Sequence, residues 1–251
     1  MLGLGVGEQC RFAGNSGHPQ TDGGRREDVD PSRGTPRGAL RTGYDGLLAD
    51  PPPRRVIYLC ENILDFPFEE ALREVSAERR ERVMRYRFEI DRRQSLAAYR
   101  LLQYGLKQEY GLEGPPSFAY LPGDKPLLRD YPTIHFNLSH CRQGVVCAIS
   151  HHPIGVDIEA IAPIDQAVAQ RVMSVKQLAR IASSPHPERT FCELWTTKES
   201  LLKQTGEGLC EDLPGLALDC FTFTHYKGEK YCCTVCYSSP DQHEEFILVR
   251  L

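Results

Sequence analysis

No stretch of this sequence comes near the roughly 18 consecutive apolar residues that cross a bilayer, so a membrane-spanning helix is excluded. Nor is there an excess of positive charge: 30 Lys and Arg stand against 34 Asp and Glu, a net charge of −4. Nucleic acid rewards a strong cationic excess, and it is not the expected partner here. A local anion site needs only a few well-placed cations and stays open. A secretory signal is not expected either, because Met1–Gly7 is glycine-rich, carries no early Lys or Arg and never leads into a long apolar run.

What is present fits a globular chain. The apolar fraction is 41% and the charged fraction 25% over 251 residues, enough to bury a core in one domain or two small ones. Ten cysteines are many, but without a signal they read as free thiols in a reducing cytoplasm. Cys232, Cys233 and Cys236 cluster in a way that raises zinc. The surrounding YCCTVCY reads as strand, and no second pair of suitable spacing accompanies it.

Residues 1–55 hold 11 of the 21 glycines and six prolines with few large apolar side chains. Such a segment buries too little to offset its backbone entropy, so residues 1–53 are expected to be a flexible leader or wrongly assigned upstream sequence. Folded structure is expected from Arg54, where RRVIYLC reads as a strand. Ser76 is placed to cap a helix over AERRERVMRY. A longer helix is expected from about Arg92 to Tyr110, on the spacing of Leu96, Tyr99, Leu102 and Leu106, with Gly111 ending it.

A short strand at Ser117–Leu121 follows, then strands at Thr133–Leu138, Gly144–Ser150 and Ile154–Ile158. The break at Ser150–Pro153 is short enough for an antiparallel turn. Helical spacing returns over Asp165–Ile181 and Glu188–Gln204, and strands at Leu216–His225, Tyr231–Ser238 and Phe246–Val249 close the chain. The order strand, helices, strands, helices, strands predicts an α/β (α+β) fold of two similar subdomains, 54–153 and 154–251.

Asp157 and Glu159 are one residue apart, so on a strand both carboxylates leave one face while Val156 and Ile158 fill the other. Like charges that close call for a cation between them, and Glu199, in LWTTKESLLKQ, offers a third carboxylate. Oxygen donors of this kind suit Mg²⁺ held jointly with substrate phosphates, whereas the bland alternative is a solvated strand end. Lys203 lies one helical turn beyond Glu199 and Lys198 is adjacent, a pattern that ordinary salt bridging explains equally well. Trp195, the sole tryptophan, reads first as a core anchor for that helix. Ser139 and His140, expected just past a strand end, form a credible phosphate pocket. A serine nucleophile is the rival reading, but no G-x-S-x-G elbow surrounds Ser139. Among Arg79–Arg93, Arg82 and Arg85 lie three apart and could reach one anion.

GDKP at Gly123–Pro126, FNLSHC at Phe136–Cys141, GVDIE at Gly155–Glu159 and FCELWTTKESLLKQTGEGL at Phe191–Leu209 together resemble the large, monomeric, surfactin-synthetase-activating type of 4'-phosphopantetheinyl transferase. The resemblance runs from about Ser76 to Leu209; Cys141 stands where relatives commonly have Ser, and the leader has no counterpart. It implies pseudo-twofold α/β subdomains with coenzyme A in the cleft between them, and most metal ligands in the second. It implies that Asp157, Glu159 and Glu199 hold Mg²⁺ against the pyrophosphate, with Lys203 and Lys198 as nearby cations. His140 matches a 3'-phosphate contact with Arg82 and Arg85 as helpers, and Lys125 and Pro126 lie beside the adenine and phosphate pocket.

The implied reaction moves phosphopantetheine onto a serine of an apo acyl, polyketide or peptidyl carrier protein, with Glu199, Lys203 and Asp157 carrying the chemistry and either Glu199 or metal-bound water as base. A coenzyme A or carrier-protein binding module without catalysis is the alternative, and a nuclease or phosphatase using the same acidic trio is a third.

Overall fold

In the computed structural model, residues 54–61, 63–121, 124–208, 212–238 and 243–251 are described. The expected leader, residues 1–53, lies outside them.

The chain runs β1 (Arg54–Cys60), α1 (Phe68–Glu74), α2 (Ala77–Met84), α3 (Glu89–Tyr110), β2 (Phe118–Tyr120), β3 (Pro126–Leu128), β4 (His135–Cys141), β5 (Gly144–Ser150) and β6 (Ile154–Ala160). Then come α4 (Gln166–Val172), α5 (Val175–Ala182), α6 (Pro187–Thr205), β7 (Thr222–Lys227), β8 (Tyr231–Tyr237) and β9 (His243–Leu248).

One sheet has the order β4-β5-β1-β9 and another β6-β8-β7, while β2 and β3 form a two-stranded hairpin. The triplets β4-β5-β1 and β7-β8-β6 share one plan: an opening strand, a long helix, and a hairpin whose second strand pairs antiparallel with the opener. The mixed α/β architecture with a repeated half therefore exists at the level of topology.

Alternation on the strands builds the layers. Val56, Tyr58, Val145, Cys147 and Ile149 face α3 and join Leu96, Leu101 and Leu102 in one core. Ile57, Leu59, Val146 and Ala148, from the opposite face, meet Ile154, Val156, Ile158, Cys233 and Val235 in a second core between the sheets. The remaining face of β6 and β8 lies under α6. That helix starts with Pro187 in its first turn and stops at Gly206, whose φ of 78° is left-handed.

Two sequence expectations change, and two others gain detail. The break at Ser150–Pro153 does not join an antiparallel pair: β6 pairs with β8, and Pro153 takes the chain from one sheet to the other. The helical stretch Asp165–Ile181 splits in two, because Ser174 caps a new helix with a reciprocal Gln177 capping box. The division near residue 153 separates the two sheets, yet β9 of the second half pairs in parallel with β1 of the first. Its Ile247 packs on the first core and its Phe246 on the second, so β9 stitches the halves together. Finally, YCCTVCY is a fully buried central strand whose pairing puts Cys233 in the inter-sheet core and Thr234 against α6.

Candidate functional site

The site is built where β4, β6 and α6 meet. The β6 side chains that face away from the inter-sheet core are Gly155, Asp157 and Glu159, and α6 lies across them. On β4, Asn137 and Ser139 occupy the face that meets β6. The Asn137 Oδ1 accepts the Val156 N–H at 2.8 Å, and the Ser139 Oγ accepts the Ile158 N–H at 3.3 Å. Two polar side chains thus satisfy an outer edge of β6 that would otherwise be buried unpaired. The signal for this was available in the sequence: Asn137 and Ser139 alternate with the apolar Phe136 and Leu138 along the strand.

Asp157 is 2% exposed. Its Oδ1 accepts from the Lys203 ammonium at 2.5 Å and from the Ser139 hydroxyl at 2.8 Å, and Lys203 also donates to Ser139 Oγ at 2.9 Å. Its Oδ2 is buried with no hydrogen-bond partner. Glu199 is 6% exposed, one helical turn from Lys203 and on the same side of α6. The Trp195 indole, a further turn back, favours the ionised form of Glu159 and packs on the apolar cluster under α4 and α5. The tryptophan is therefore a core anchor beside the acidic side chains.

These groups feel one another strongly. Burial pushes Glu159 up to about 8, with the charges of Asp157 and Glu199 adding to the rise and Lys203 opposing it. Burial and Asp157 push Glu199 up to about 7. Burial disfavours the Lys203 ammonium, but Asp157, Glu199 and Glu159 together outweigh it and raise its pKa. Three carboxyl groups share one lysine in a dry pocket, so two of them keep their protons to higher pH than usual.

Among the described residues no group of three Asp, Glu, His or Cys side chains stands in ready metal-ligating geometry. The donor set is nevertheless all oxygen, contains an orphaned buried carboxylate oxygen and gathers three carboxyl groups around one lysine. Those features fit a hard divalent cation.

The remaining expected residues lie on other parts of the fold. Lys125 Nζ donates to the carbonyls of Gln204, at 2.7 Å, and Ile154, at 3.4 Å, capping the C-terminal end of α6. Burial pushes it down to about 8. Pro126 opens β3 opposite Tyr120. Tyr120 in turn accepts from Arg82 at 3.3 Å, at the rim of a cleft of about 380 Å³ lined by Arg79, Arg82, Arg129, Tyr99 and Ser117. Arg85 does not reach this cleft: its guanidinium pairs with Glu81 at 2.9 Å on the open face of α2.

Sequence reasoning singled out Arg82 but passed over Arg79, which is 7% exposed, donates to Ser95 Oγ at 2.9 Å and stacks over the Tyr99 ring. Its three-residue spacing from Arg82 was the available clue.

His140 is on β4 itself, not beyond it, and strand alternation sends it to the opposite face from Ser139. Lys198 is fully buried and donates to the Leu213 carbonyl at 2.6 Å, pointing away from Glu199 as adjacent helical residues do. A larger cleft of about 560 Å³ lies between α1, α3 and the last residues, far from these carboxylates in the fold. Of its charged lining, Arg100 pairs with Glu74 at 2.7 Å and Lys107 with Glu113 at 2.8 Å.

Comparison with known proteins bears on this arrangement. The family described as the 4'-phosphopantetheinyl transferase superfamily matches residues 153–247, which hold Asp157, Glu159, Glu199 and Lys203. The chain is 34% identical over 186 residues to 4'-phosphopantetheinyl transferase psf-1 of Bacillus pumilus, covering 66% of this chain and 80% of that one. It is 30% identical over 195 residues to 4'-phosphopantetheinyl transferase Sfp of Bacillus subtilis strain 168, covering 70% and 87%. With 4'-phosphopantetheinyl transferase HetI of a Nostoc strain the identity is 30% over 146 residues, 55% of this chain and 62% of that one. This chain belongs to the 4'-phosphopantetheinyl transferase superfamily.

Proposed function

We propose that this protein transfers the 4'-phosphopantetheine arm of coenzyme A to a serine of an apo acyl, polyketide or peptidyl carrier protein, releasing adenosine 3',5'-bisphosphate. The observation that carries the reading is the meeting of Asp157, Glu159, Glu199 and Lys203 at one buried point from a strand and a separate helix. Membership of the family supports the same conclusion.

Coenzyme A lies along the groove from the arginine cleft to α6. Arg79, Arg82 and Arg129 supply cations for the nucleotide phosphates, with Ser139 and His140 on β4 nearer the acidic centre. Lys125 and Pro126 line the middle through the β2–β3 hairpin, and Lys198 braces α6 from behind.

Asp157, Glu159 and Glu199 hold Mg²⁺. When bound, the ion neutralises charge building up on the pyrophosphate oxygens. Lys203 offers its ammonium to the departing phosphate, and the Asp157–Ser139 pair fixes where that ammonium points. Either Glu199 or a metal-bound water would receive the proton of the carrier serine as its oxygen attacks the β-phosphorus. The phosphoryl–oxygen bond to the bisphosphate breaks, and no covalent enzyme intermediate forms.

The protein is expected to act as a monomer in the cytoplasm. The free thiols of the described cysteines fit a reducing compartment, and no described helix is long and apolar enough to cross a membrane. The test is to mix the protein with coenzyme A, Mg²⁺ and a panel of apo-carriers and weigh each carrier by mass spectrometry. A mass gain abolished by replacing the acceptor serine supports transfer. Coenzyme A binding without bisphosphate release would leave a binding module, and phosphate hydrolysis without a carrier would leave a hydrolase.

A further inference from the structure

The Lys125 ammonium is turned to the end of α6. Its Nζ donates to the Gln204 carbonyl at 2.7 Å and to the Ile154 carbonyl at 3.4 Å. Gln204 is in the last turn of the helix, where the carbonyls lack intrahelical partners and the helix dipole favours a cation. The lysine stem lies over Gly206, the left-handed residue that ends α6: a methyl group there would stand 3.1 Å from Lys125 Cδ and 3.4 Å from its Cβ. Burial works against the charge, and the two carbonyls answer it.

Ile154 opens β6, and the Gly155 that follows lies directly under Ser200 and Gln204 of α6. One ammonium therefore clips the end of the helix to the start of the strand beneath it. Lys203, which immediately precedes Gln204, is the residue that donates to Asp157 and Ser139. Asp157 follows Gly155 on the same face of β6, so a shift at the clip reaches the acidic centre from both sides. Lys125 is itself held from behind. Asp124 before it takes a left-handed φ of 63°, which Asp tolerates, and the Lys125 carbonyl accepts the Leu121 N–H at 3.0 Å. The next residue, Pro126, pairs with Tyr120, which accepts from Arg82 at the rim of the arginine cleft.

We propose that Lys125 is a positioning residue: its ammonium fixes the last turn of α6 over β6, and so the placing of Lys203 against Asp157, without touching the phosphates of coenzyme A. A ligand of those phosphates would act on the binding of coenzyme A, whereas a residue that sets the helix acts on turnover. The effect on turnover rests on the transfer reading; the clip between hairpin and helix does not.

The experiment compares the full chain with Lys125→Met, which keeps the stem over Gly206 and removes the charge, and with Lys125→Arg, which keeps a charged donor. It reads kcat and KM for coenzyme A with an apo-carrier and Mg²⁺, and amide hydrogen exchange by mass spectrometry. Losing a hydrogen bond from a charged group should speed exchange over residues 201–206 of Lys125→Met by about ten- to a hundredfold, with α3 unchanged. A catalytic group misplaced by about 1 Å can cost on the order of 10²-fold in rate, so kcat should fall at least about tenfold while KM for coenzyme A stays within about threefold. Lys125→Arg should bring kcat back to within about threefold of the parent and return exchange to the parental rate. A Lys125→Met protein with parental kcat and KM raised about tenfold or more would make Lys125 a phosphate ligand and overturn the proposal. Unchanged exchange over residues 201–206 would overturn it equally. If Lys125→Met does not fold, Lys125→Gln, whose amide still donates, takes its place under the same two readings, and failure of both to fold overturns a role confined to positioning. Faster exchange in the variant of a parent that never transfers would count against the transfer reading alone, because exchange is scored without it.

Discussion

A methyl group on Gly155 would stand 2.0 Å from the Ser200 carbonyl oxygen and 2.4 Å from the Gln204 backbone nitrogen, so α6 crosses β6 where only a hydrogen atom fits. This contact sets the height of the helix above Asp157 and Glu159. Both obstacles are backbone, so a Gly155→Ala chain must lift α6 rather than turn a side chain aside. Overpacking of this kind typically costs about 1–3 kcal/mol. We expect a loss at the top of that range in urea unfolding, and a fall in transfer exceeding the fraction unfolded, since Glu199 and Lys203 move with the helix. An unchanged urea midpoint with normal turnover would show that the helix is not pinned there.

Asp157 organises the rest of the centre through Lys203 and Ser139. Asp157→Ala should fold, because Glu199 and Glu159 remain beside the Lys203 ammonium that it leaves behind. It should lose transfer by at least about 10²-fold, the scale of one major electrostatic contact in a transition state. Circular dichroism and steady-state rates at limiting Mg²⁺ decide the matter. A folded variant with near-normal turnover sinks the assignment.

The long elements were legible because their signals are local. Leu96, Tyr99, Leu102 and Leu106 repeat at helical spacing and Gly111 ends α3 with a φ of 64°. The alternation in GVDIE is enough to put both acidic side chains on one face, and the two come together as expected. What escaped depends on distant partners. Nothing in the closing strand says that it pairs with β1, since its register is fixed by a surface almost the whole chain away. Arg79 looked like one more solvated arginine, because its burial comes from Tyr99 and Ser95 on α3. Lys198 and Glu199 are neighbours in the motif, yet a helix turns them to different surroundings.

Arg82 and Arg85, equivalent in the sequence, should behave differently. Arg82 lines the cleft assigned to the nucleotide phosphates and already touches Tyr120, whereas Arg85 is spent on an exposed pair with Glu81. A hydrogen bond to a charged group contributes about 1.5–3 kcal/mol, so Arg82→Ala should raise KM for coenzyme A by roughly ten- to a hundredfold. Exposed ion pairs contribute about 0–1 kcal/mol, so Arg85→Ala should stay within about threefold of the parent. Equal KM values for the two variants would remove Arg82 from the phosphate site.

The acidic centre also fixes a pH dependence. Glu159 stands at about 8 and Glu199 at about 7, both above the ordinary carboxyl value of 4.5, chiefly through burial and next through Asp157. The folded protein therefore holds these protons more tightly than the unfolded chain does. Stability from this source is intact below 4.5, is lost as pH rises, and is fully lost above about 8. Lys203, raised by the same carboxylates, stays charged across that window. A divalent cation has the opposite preference, since it binds ionised carboxylates and displaces their protons. In chelator, Tm should fall from about pH 5.5 to about pH 8.5, with Glu159→Gln flattening part of the fall. Added Mg²⁺ should raise Tm little at the acidic end and most at the alkaline end. A Glu159→Gln profile parallel to the parent's, or a Mg²⁺ effect equal at both ends, would mean that the three carboxyl groups do not act together on an ion.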